Sequence, residues 1–148
     1  MTTKAQLENA LKEAMRSGDD LRKSTIRMVL SAIKLMEVEK GAPLDETGIA
    51  SVLQKEVKSR RESIADAQRA NRQDLAEAAE AEITILEGFL PKAMTGEELD
   101  NLARQVIQEV GATSLREMGQ VMKVLMPRLQ GRATGDQASQ AVRKLLQS

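Results

Sequence analysis

The residues best placed to bind a charged ligand form a glycine-flanked turn, Gly-Arg-Ala-Thr-Gly at 131–135, which leads into the last predicted helix. A helix N-terminus offers unpaired N–H groups and the positive end of the helix dipole, and Arg128 and Arg132 add positive charge nearby. This combination suits a phosphate group. The turn lacks the Gly-Lys-Ser/Thr sequence of nucleotide-hydrolysing loops, so it does not imply ATP hydrolysis. The alternative is a turn that only caps the helix, and the two roles can coexist.

The composition excludes most enzyme chemistry. The chain has 148 residues with no Cys and no His, which removes disulfides, thiol nucleophiles, the usual zinc sites and every imidazole-based mechanism. Glu77, Glu80, Glu82 and Glu87 lack the His residues that a helical di-iron site requires. We therefore predict no catalytic residue, no metal site and no cofactor.

Charge and hydropathy set further limits. The 22 basic residues balance the 22 acidic ones, so net charge does not draw the whole chain towards nucleic acid or anionic lipid. Phe89 is the single aromatic residue, so any RNA contact must involve backbone and shape rather than base stacking. With no apolar run of roughly 18 residues and no signal-peptide pattern, we expect a soluble cytoplasmic protein without a membrane partner.

The apolar spacing predicts an all-α protein. The first 90 residues are rich in helix formers, and breaks at Ser17-Gly18, Gly41-Ala42-Pro43 and Ala70-Asn71 divide them into four helices. Asp19 can cap the second helix and Asp45 the third. Pro91 closes this group, so we predict an N-terminal domain of long helices at residues 1–91.

Two apolar stripes in this domain predict burial. In the second helix, Met28, Ala32 and Leu35 widen the main stripe, which indicates a helix central in its bundle. In the fourth helix the stripe begins at Leu75 and continues through Ala79. We expect these side chains to lie in the core.

Capping-box patterns occur at four places along the chain. In this pattern a Ser or Thr is followed three residues later by Glu or Gln, and the two side chains bond each other's backbone N–H groups. It occurs at Thr3–Gln6, Thr95–Glu98, Ser114–Glu117 and Thr134–Gln137. The last three predict a C-terminal three-helix bundle at residues 92–148. Its middle helix carries a stripe of Met118, Met122 and Met126, which is either core or an adaptable surface for a partner.

Charged residues interrupt the apolar faces of the third and fourth helices. Arg61 falls on the face of Val57 and Ile64, and Glu82 falls within the stripe of the fourth helix. Because the chain folds back near Asn71, these two residues should meet across an antiparallel pair. We predict an Arg61–Glu82 salt bridge that fixes the register of the hairpin. The alternative is an anion site at Arg60 and Arg61.

Several segments resemble those of the GatB/YqeY family. They are STIRMVLSAIK at 24–34, EVKSRRESI at 56–64, Arg72 to Leu75, ILEGFLPK at 85–92, EEL at 97–99, MGQVMKVLMP at 118–127 and the turn at 131–133. The family usually has Asp where this chain has Thr134. Either side chain can cap a helix, so the fold is unaffected.

The resemblance implies a fold and a biological setting. It implies two helical subdomains, the second related to the tail of the B subunit of the tRNA-dependent amidotransferase, a module that meets tRNA. The family is often labelled a carbon–nitrogen ligase with glutamine as amido-N-donor. Because glutamine hydrolysis and phosphorylation occur elsewhere in that complex, we expect no catalytic activity from this chain alone.

Three functional hypotheses follow. The first is a non-catalytic, tRNA-associated protein that is either free-standing or docks on an amidotransferase or an aminoacyl-tRNA synthetase. Its predicted phosphate contacts are Lys123, Arg128, Arg132, Arg143 and Lys144. The second is a protein-interaction adaptor that uses the long N-terminal hairpin or the methionine face and never touches RNA. The third is a component that contributes to ligase activity. Clustering of the five basic side chains would favour RNA, whereas dispersal with an exposed apolar patch would favour the adaptor. The oligomeric state is left open.

Overall fold

The computed structural model describes residues 2–147, and this part of the chain is helical with no strand. The helices are α1 (Thr3–Ser17), α2 (Asp20–Lys40), α3 (Glu46–Arg69), α4 (Gln73–Glu87), α5 (Gly96–Val110), α6 (Met118–Leu129) and α7 (Gly135–Gln147), with a 3-10 turn at Leu115–Glu117. The predicted all-α fold class is confirmed. The chain divides into two compact units, Met1–Pro91 with α1–α4 and Lys92–Ser148 with α5–α7.

The N-terminal unit is built around the antiparallel α3–α4 pair, on which α2 packs, while α1 packs mainly on α2. Leu7, Ile26, Ile33, Leu53 and Leu86 are among its fully buried side chains. Capping defines the helix limits as the sequence predicted. Asp19 accepts a hydrogen bond from the Arg22 N–H, and Asp45 accepts one from the Gly48 N–H. Asn71 takes the left-handed conformation at φ 56° in the α3–α4 turn.

The predicted stripes of α2 and α4 were partly wrong. Met28 and Leu35 are exposed, because α2 buries only the face that carries Ile26, Val29 and Ile33. In α4, Leu75 is exposed and Ala76 is buried in its place. One side of α2 is therefore open to solvent.

The cap of α1 also differs from the prediction. Thr2, not Thr3, is the N-cap residue, and its hydroxyl accepts a hydrogen bond from the Ala5 N–H at 3.2 Å. The Thr3 hydroxyl instead donates to a carboxylate oxygen of Glu46, at 2.7 Å. This contact ties the start of α1 to the start of α3.

The C-terminal unit has its own core, which α5, α6 and α7 form together. Its buried side chains are Leu99, Ala103, Val106, Ala112, Val121, Leu125, Leu129, Ala133, Ala138, Ala141 and Val142. Met118 and Met122 pack against this core, whereas Met126 is largely exposed. The methionine stripe is thus core at two of its three positions.

Two of the three capping boxes predicted here are confirmed. Thr95 and Glu98 bond each other's backbone N–H groups at the start of α5. Thr134 and Gln137 do the same at α7, at 3.0 and 3.1 Å. The Ser114–Glu117 box was wrong: the Glu117 carboxylate accepts from the backbone N–H and the hydroxyl of Thr113, and the chain makes a 3-10 turn before α6 begins.

Candidate functional site

The glycine-flanked turn is held in place by Arg132. The Nε of Arg132 donates to the backbone carbonyl of Lys92 at 2.9 Å, and its Nη2 donates to Glu98 Oε2 at 2.8 Å. In return, the Met94 N–H donates to the Arg132 carbonyl at 2.8 Å. The Arg132 hydrogen bond holds the pKa of the Glu98 carboxyl below its ordinary value. Arg132 therefore joins the segment before α5 to the turn before α7.

Backbone N–H groups at the start of α7 are already hydrogen-bonded within the protein. The Thr134–Gln137 capping box satisfies two of the N–H groups that a phosphate would otherwise bind. These two hydrogen bonds support the interpretation of this turn as a helix cap.

Arg128 is also paired with a carboxylate. Its guanidinium lies 2.6 Å from Glu109 Oε2, which links α6 to α5. The Arg128 hydrogen bond lowers the pKa of Glu109, and the same bond raises the pKa of Arg128. A nucleic-acid phosphate at this position would have to replace Glu109.

The other predicted phosphate contacts lie on the outer surfaces of α6 and α7. Lys123 and Arg143 are exposed, and Lys144 borders an open groove that Met94, Thr95, Gly96, Leu99, Asp100, Gln137, Gln140 and Ala141 also line. With 3.6 residues per helical turn, Lys123 and Arg128 point about 140° apart on α6, and Arg143 and Lys144 about 100° apart on α7. The helices thus direct these basic side chains towards several faces, and their role in RNA binding stays a prediction.

The predicted Arg61–Glu82 salt bridge is off by one residue. Arg60 is the buried arginine, and its Nε lies 2.8 Å from Glu82 Oε2. Its Nη1 donates to the carbonyl of Glu56 at 3.1 Å. Arg61 is exposed and pairs with Glu87 at 3.3 Å.

A seven-residue repeat explains this shift. Leu53, Arg60 and Ala67 are all buried along α3, which is the spacing of helices that pack as a coiled-coil pair. Position 61 is one residue beyond this line, on the solvent side. A buried arginine thus joins α3 to α4, at position 60 and not at the predicted position 61.

Sequence patterns alone did not reveal an exposed apolar surface on α2. Leu21, Met28, Leu35 and Val38 are 39%, 55%, 60% and 70% exposed. Together with the exposed Ser24 and Ser31 they form one face, which we call the α2 stripe. The seven-residue spacing of Leu21, Met28 and Leu35 was a visible signal, because residues seven apart on a helix share a face.

Basic side chains border the α2 stripe. The Nη2 of Arg60 lies 3.7 Å from the Met28 sulfur, and Arg27 lies along the opposite edge with its Nη2 4.0 Å from the sulfur of Met15. Lys34 follows Arg27 along that edge, seven residues later. Within residues 2–147, neither Arg27 nor Lys34 forms an ion pair with a carboxylate.

The part of the chain that the structure describes contains neither a metal-binding cluster nor a membrane-spanning helix. There, His, Cys, Asp and Glu side chains form no group of three that could hold a metal ion. Over the same residues, every helix is too short or too polar to span a bilayer.

Comparison with known proteins gives one family. The model of the family described as "Yqey-like protein" matches residues 4–146. The protein named "Altered inheritance of mitochondria protein 41, mitochondrial" of Kluyveromyces lactis is 41% identical over 110 residues, which cover 72% of this chain and 59% of the relative. The protein of that name from Lachancea thermotolerans is 39% identical over 97 residues, 65% of this chain and 52% of the relative. The protein of that name from Pyrenophora tritici-repentis is 31% identical over 130 residues, which cover 86% of this chain and 71% of the relative.

These relatives correct one expectation and confirm another. Their names place them in mitochondria, so the expectation of a cytoplasmic protein was wrong. The chain spans little more than half the length of the relatives from Lachancea and Kluyveromyces. The family resemblance seen in the sequence is confirmed, since the family model covers nearly every residue. By this match, the chain belongs to the YqeY-like protein family.

Proposed function

We propose that this protein is an adaptor that binds another protein through the α2 stripe. The observation that carries the proposal is the alignment of four exposed large apolar side chains on one helix face. Single exposed apolar residues are ordinary on protein surfaces, but a contiguous row marks an interaction site.

The stripe has the dimensions of a helix-binding surface. From Leu21 to Val38 it extends roughly 26 Å along α2, at 1.5 Å per residue. Apolar burial contributes about 25 cal/mol per Å², so a partner that covers this row gains affinity without any new charge contact. An amidotransferase or an aminoacyl-tRNA synthetase is a candidate partner. Any contribution to a glutamine-dependent ligase would then come through that bound enzyme.

Site-specific photo-crosslinking tests the adaptor proposal. A photoreactive Leu35→benzoylphenylalanine variant is expected to give a discrete protein adduct in its host cell. The matched control is Lys55→benzoylphenylalanine, on an exposed position of α3. The adduct should be absent from the control and should disappear when Met28→Asp is added. Identical adducts at both positions, or none at position 35, would contradict the proposal.

A second candidate function is tRNA binding by the C-terminal unit. It is favoured by Lys123 and Arg143, two exposed cations without an ion pair among the described residues. Phosphate contacts of this kind release counterions, so binding should weaken steeply as salt rises.

A tRNA titration at two salt concentrations tests this candidate. The Lys123→Ala/Arg143→Ala variant should bind more weakly and with a smaller salt dependence than the wild type. Arg128→Ala/Arg132→Ala provides the comparison, because those arginines are already paired with Glu109 and Glu98. No binding at low salt would eliminate the RNA function.

A further inference from the structure

We propose that the partner of the α2 stripe is an amphipathic helix whose apolar face is edged by carboxylates seven residues apart. This inference rests on the adaptor function proposed above and specifies the chemistry of the partner. Three properties of the stripe support it: its alternation of large and small residues, its unpaired basic edge, and its poor fit to a second copy of itself.

Large and small side chains alternate along the α2 stripe, so that hollows lie between the large ones. Large Leu21, Met28 and Leu35 are separated by small Ser24 and Ser31, all on one exposed face. Side chains of a second helix can enter the hollows above the serines, which is how packed helices interdigitate. The Ser24 hydroxyl donates to the Leu21 carbonyl at 3.1 Å, so it can be covered by an apolar side chain without losing its hydrogen bond.

The edge of the stripe carries uncompensated positive charge. Two other basic side chains of α1 and α2 have carboxylate partners: Lys23 pairs with Asp20, and Lys4 pairs with Glu37. Within the described residues Arg27 and Lys34 have none. They are separated by about 10.5 Å along the helix axis at 1.5 Å per residue, so carboxylates seven residues apart on a partner helix match both at once.

A second copy of the chain satisfies these requirements poorly. If two α2 stripes paired antiparallel with Met28 facing Ser31 of the other copy, Arg27 of one copy would face Lys34 of the other. Like charges in such flanking positions are repulsive. If they paired in parallel, serines would face serines and leave the hollows unfilled. A different helix with an acidic edge meets neither obstacle.

Two synthetic peptides can test the charge of the partner. Both are 21-residue helix formers with one apolar stripe, and they differ only in having Glu or Lys at two edge positions seven residues apart. Fluorescence anisotropy with the full chain should give at least tenfold tighter binding of the Glu peptide. Met28→Asp/Leu35→Asp should abolish binding of both peptides, with circular dichroism verifying that the helices remain.

Charge reversal makes the test specific. Arg27→Glu/Lys34→Glu should transfer the preference to the Lys peptide. The control is Lys55→Glu/Arg116→Glu, which changes the net charge equally at exposed positions outside the stripe and should leave the preference for the Glu peptide unchanged. Transfer of preference by the control as well would assign the effect to net charge and overturn the inference.

The remaining outcomes separate this inference from the adaptor function. Equal binding of the two peptides, abolished by Met28→Asp/Leu35→Asp, would overturn the acidic partner and leave the adaptor function intact. If neither peptide binds while the crosslink at position 35 persists, the helical partner is overturned and the adaptor function stands. If neither peptide binds and the crosslink at position 35 is also absent, both the helical partner and the adaptor function are overturned.

Discussion

Arginine–carboxylate pairs differ between the two units of this protein. In the N-terminal unit, the Arg60 side chain is 8% exposed and contacts Glu82 and Glu56 between α3 and α4. In the C-terminal unit, the side chains of Arg128 and Arg132 are 39% and 33% exposed, and each pairs with a carboxylate of α5. The same chemistry is thus placed inside one unit and near the surface of the other.

Burial determines how much each arginine contributes to stability. A buried arginine without its partners would cost several kcal/mol, so Arg60 is tolerated only in the hairpin register that brings Glu82 to it. The surface pairs are accessible to water and contribute less. They hold Arg128 and Arg132 against Glu109 and Glu98, and these were the cations that the sequence suggested for phosphate binding.

The largest effect is expected for Arg60→Ala. This change leaves Glu82 partly buried without its cation, and we expect it to lower the free energy of unfolding by about 3 kcal/mol. Arg61→Ala is the matched control, because Arg61 pairs with Glu87 at the surface, and we expect a loss of less than about 1 kcal/mol. Urea unfolding of the full chain measures both. Equal losses would mean that burial does not distinguish the two arginines.

Thr25→Val is expected to stabilise the protein. Among the described residues, Thr25 has a fully buried hydroxyl that makes no hydrogen bond. Valine has nearly the same shape without the polar group, so we expect the free energy of unfolding to rise by about 1–2 kcal/mol. Thr25→Ser, which keeps the hydroxyl and loses the methyl group, should lower it. A destabilising Thr25→Val would reveal that the hydroxyl has a partner in solution. Thr25 would then be, like Arg60, a buried polar residue with a hydrogen-bond partner.

The C-terminal unit should be sensitive to helix capping. Thr95→Ala removes the hydroxyl that accepts from the Glu98 N–H at 3.1 Å, and the expected loss is about 1 kcal/mol. Ser114→Ala is the matched control, because Ser114 forms no side-chain capping bond, and its effect should be near zero. Denaturant unfolding measures both. A larger loss for Ser114→Ala would mean that the 3-10 turn is capped in solution.

The smallest effect is expected for Glu98→Gln, and it concerns stability at low pH. The Arg132 hydrogen bond lowers the pKa of Glu98 from about 4.5, so the pair contributes stability above that pH and loses it as pH falls through the lowered pKa. Glu98→Gln should therefore lower the thermal midpoint slightly at pH 7 and flatten its decline below about pH 4.5. Glu97→Gln, on the same first turn of α5, is the control. Unchanged acid sensitivity in Glu98→Gln would show that this surface pair contributes nothing measurable.

Local signals accounted for most of the correct predictions. Asp19, Asp45, Thr95 and Thr134 cap the helices that follow them, because a capping side chain needs only its own next three residues. Ser114 did not, since the backbone there enters a 3-10 turn and Thr113 binds Glu117 instead. The capping-box prediction at Ser114 was therefore wrong although the residue pattern was present, because the backbone forms a 3-10 turn there and not the first turn of an α-helix.

Positions that depend on a neighbouring helix were less predictable. Residues 60 and 61 of α3 both fit its apolar face at helical spacing, and only the packing of α4 selected Arg60 for burial. Met28 and Leu35 of the α2 stripe were expected in the core because an apolar row looks the same whether or not a helix covers it. The predicted phosphate contacts failed to anticipate Glu109 and Glu98, which lie 19 and 34 residues away from the arginines they bind.

The helical class, the two groups of helices, most of the helix ends and the family could all be predicted from the amino-acid sequence. These depend on contacts within a few residues, on the spacing of apolar side chains, or on similarity along the whole chain. The packing of the helices was needed to show which arginine is buried, which cations are paired and which face of α2 remains exposed. The physical reason is that burial and ion pairing depend on residues distant in sequence, whose positions follow from how the helices pack.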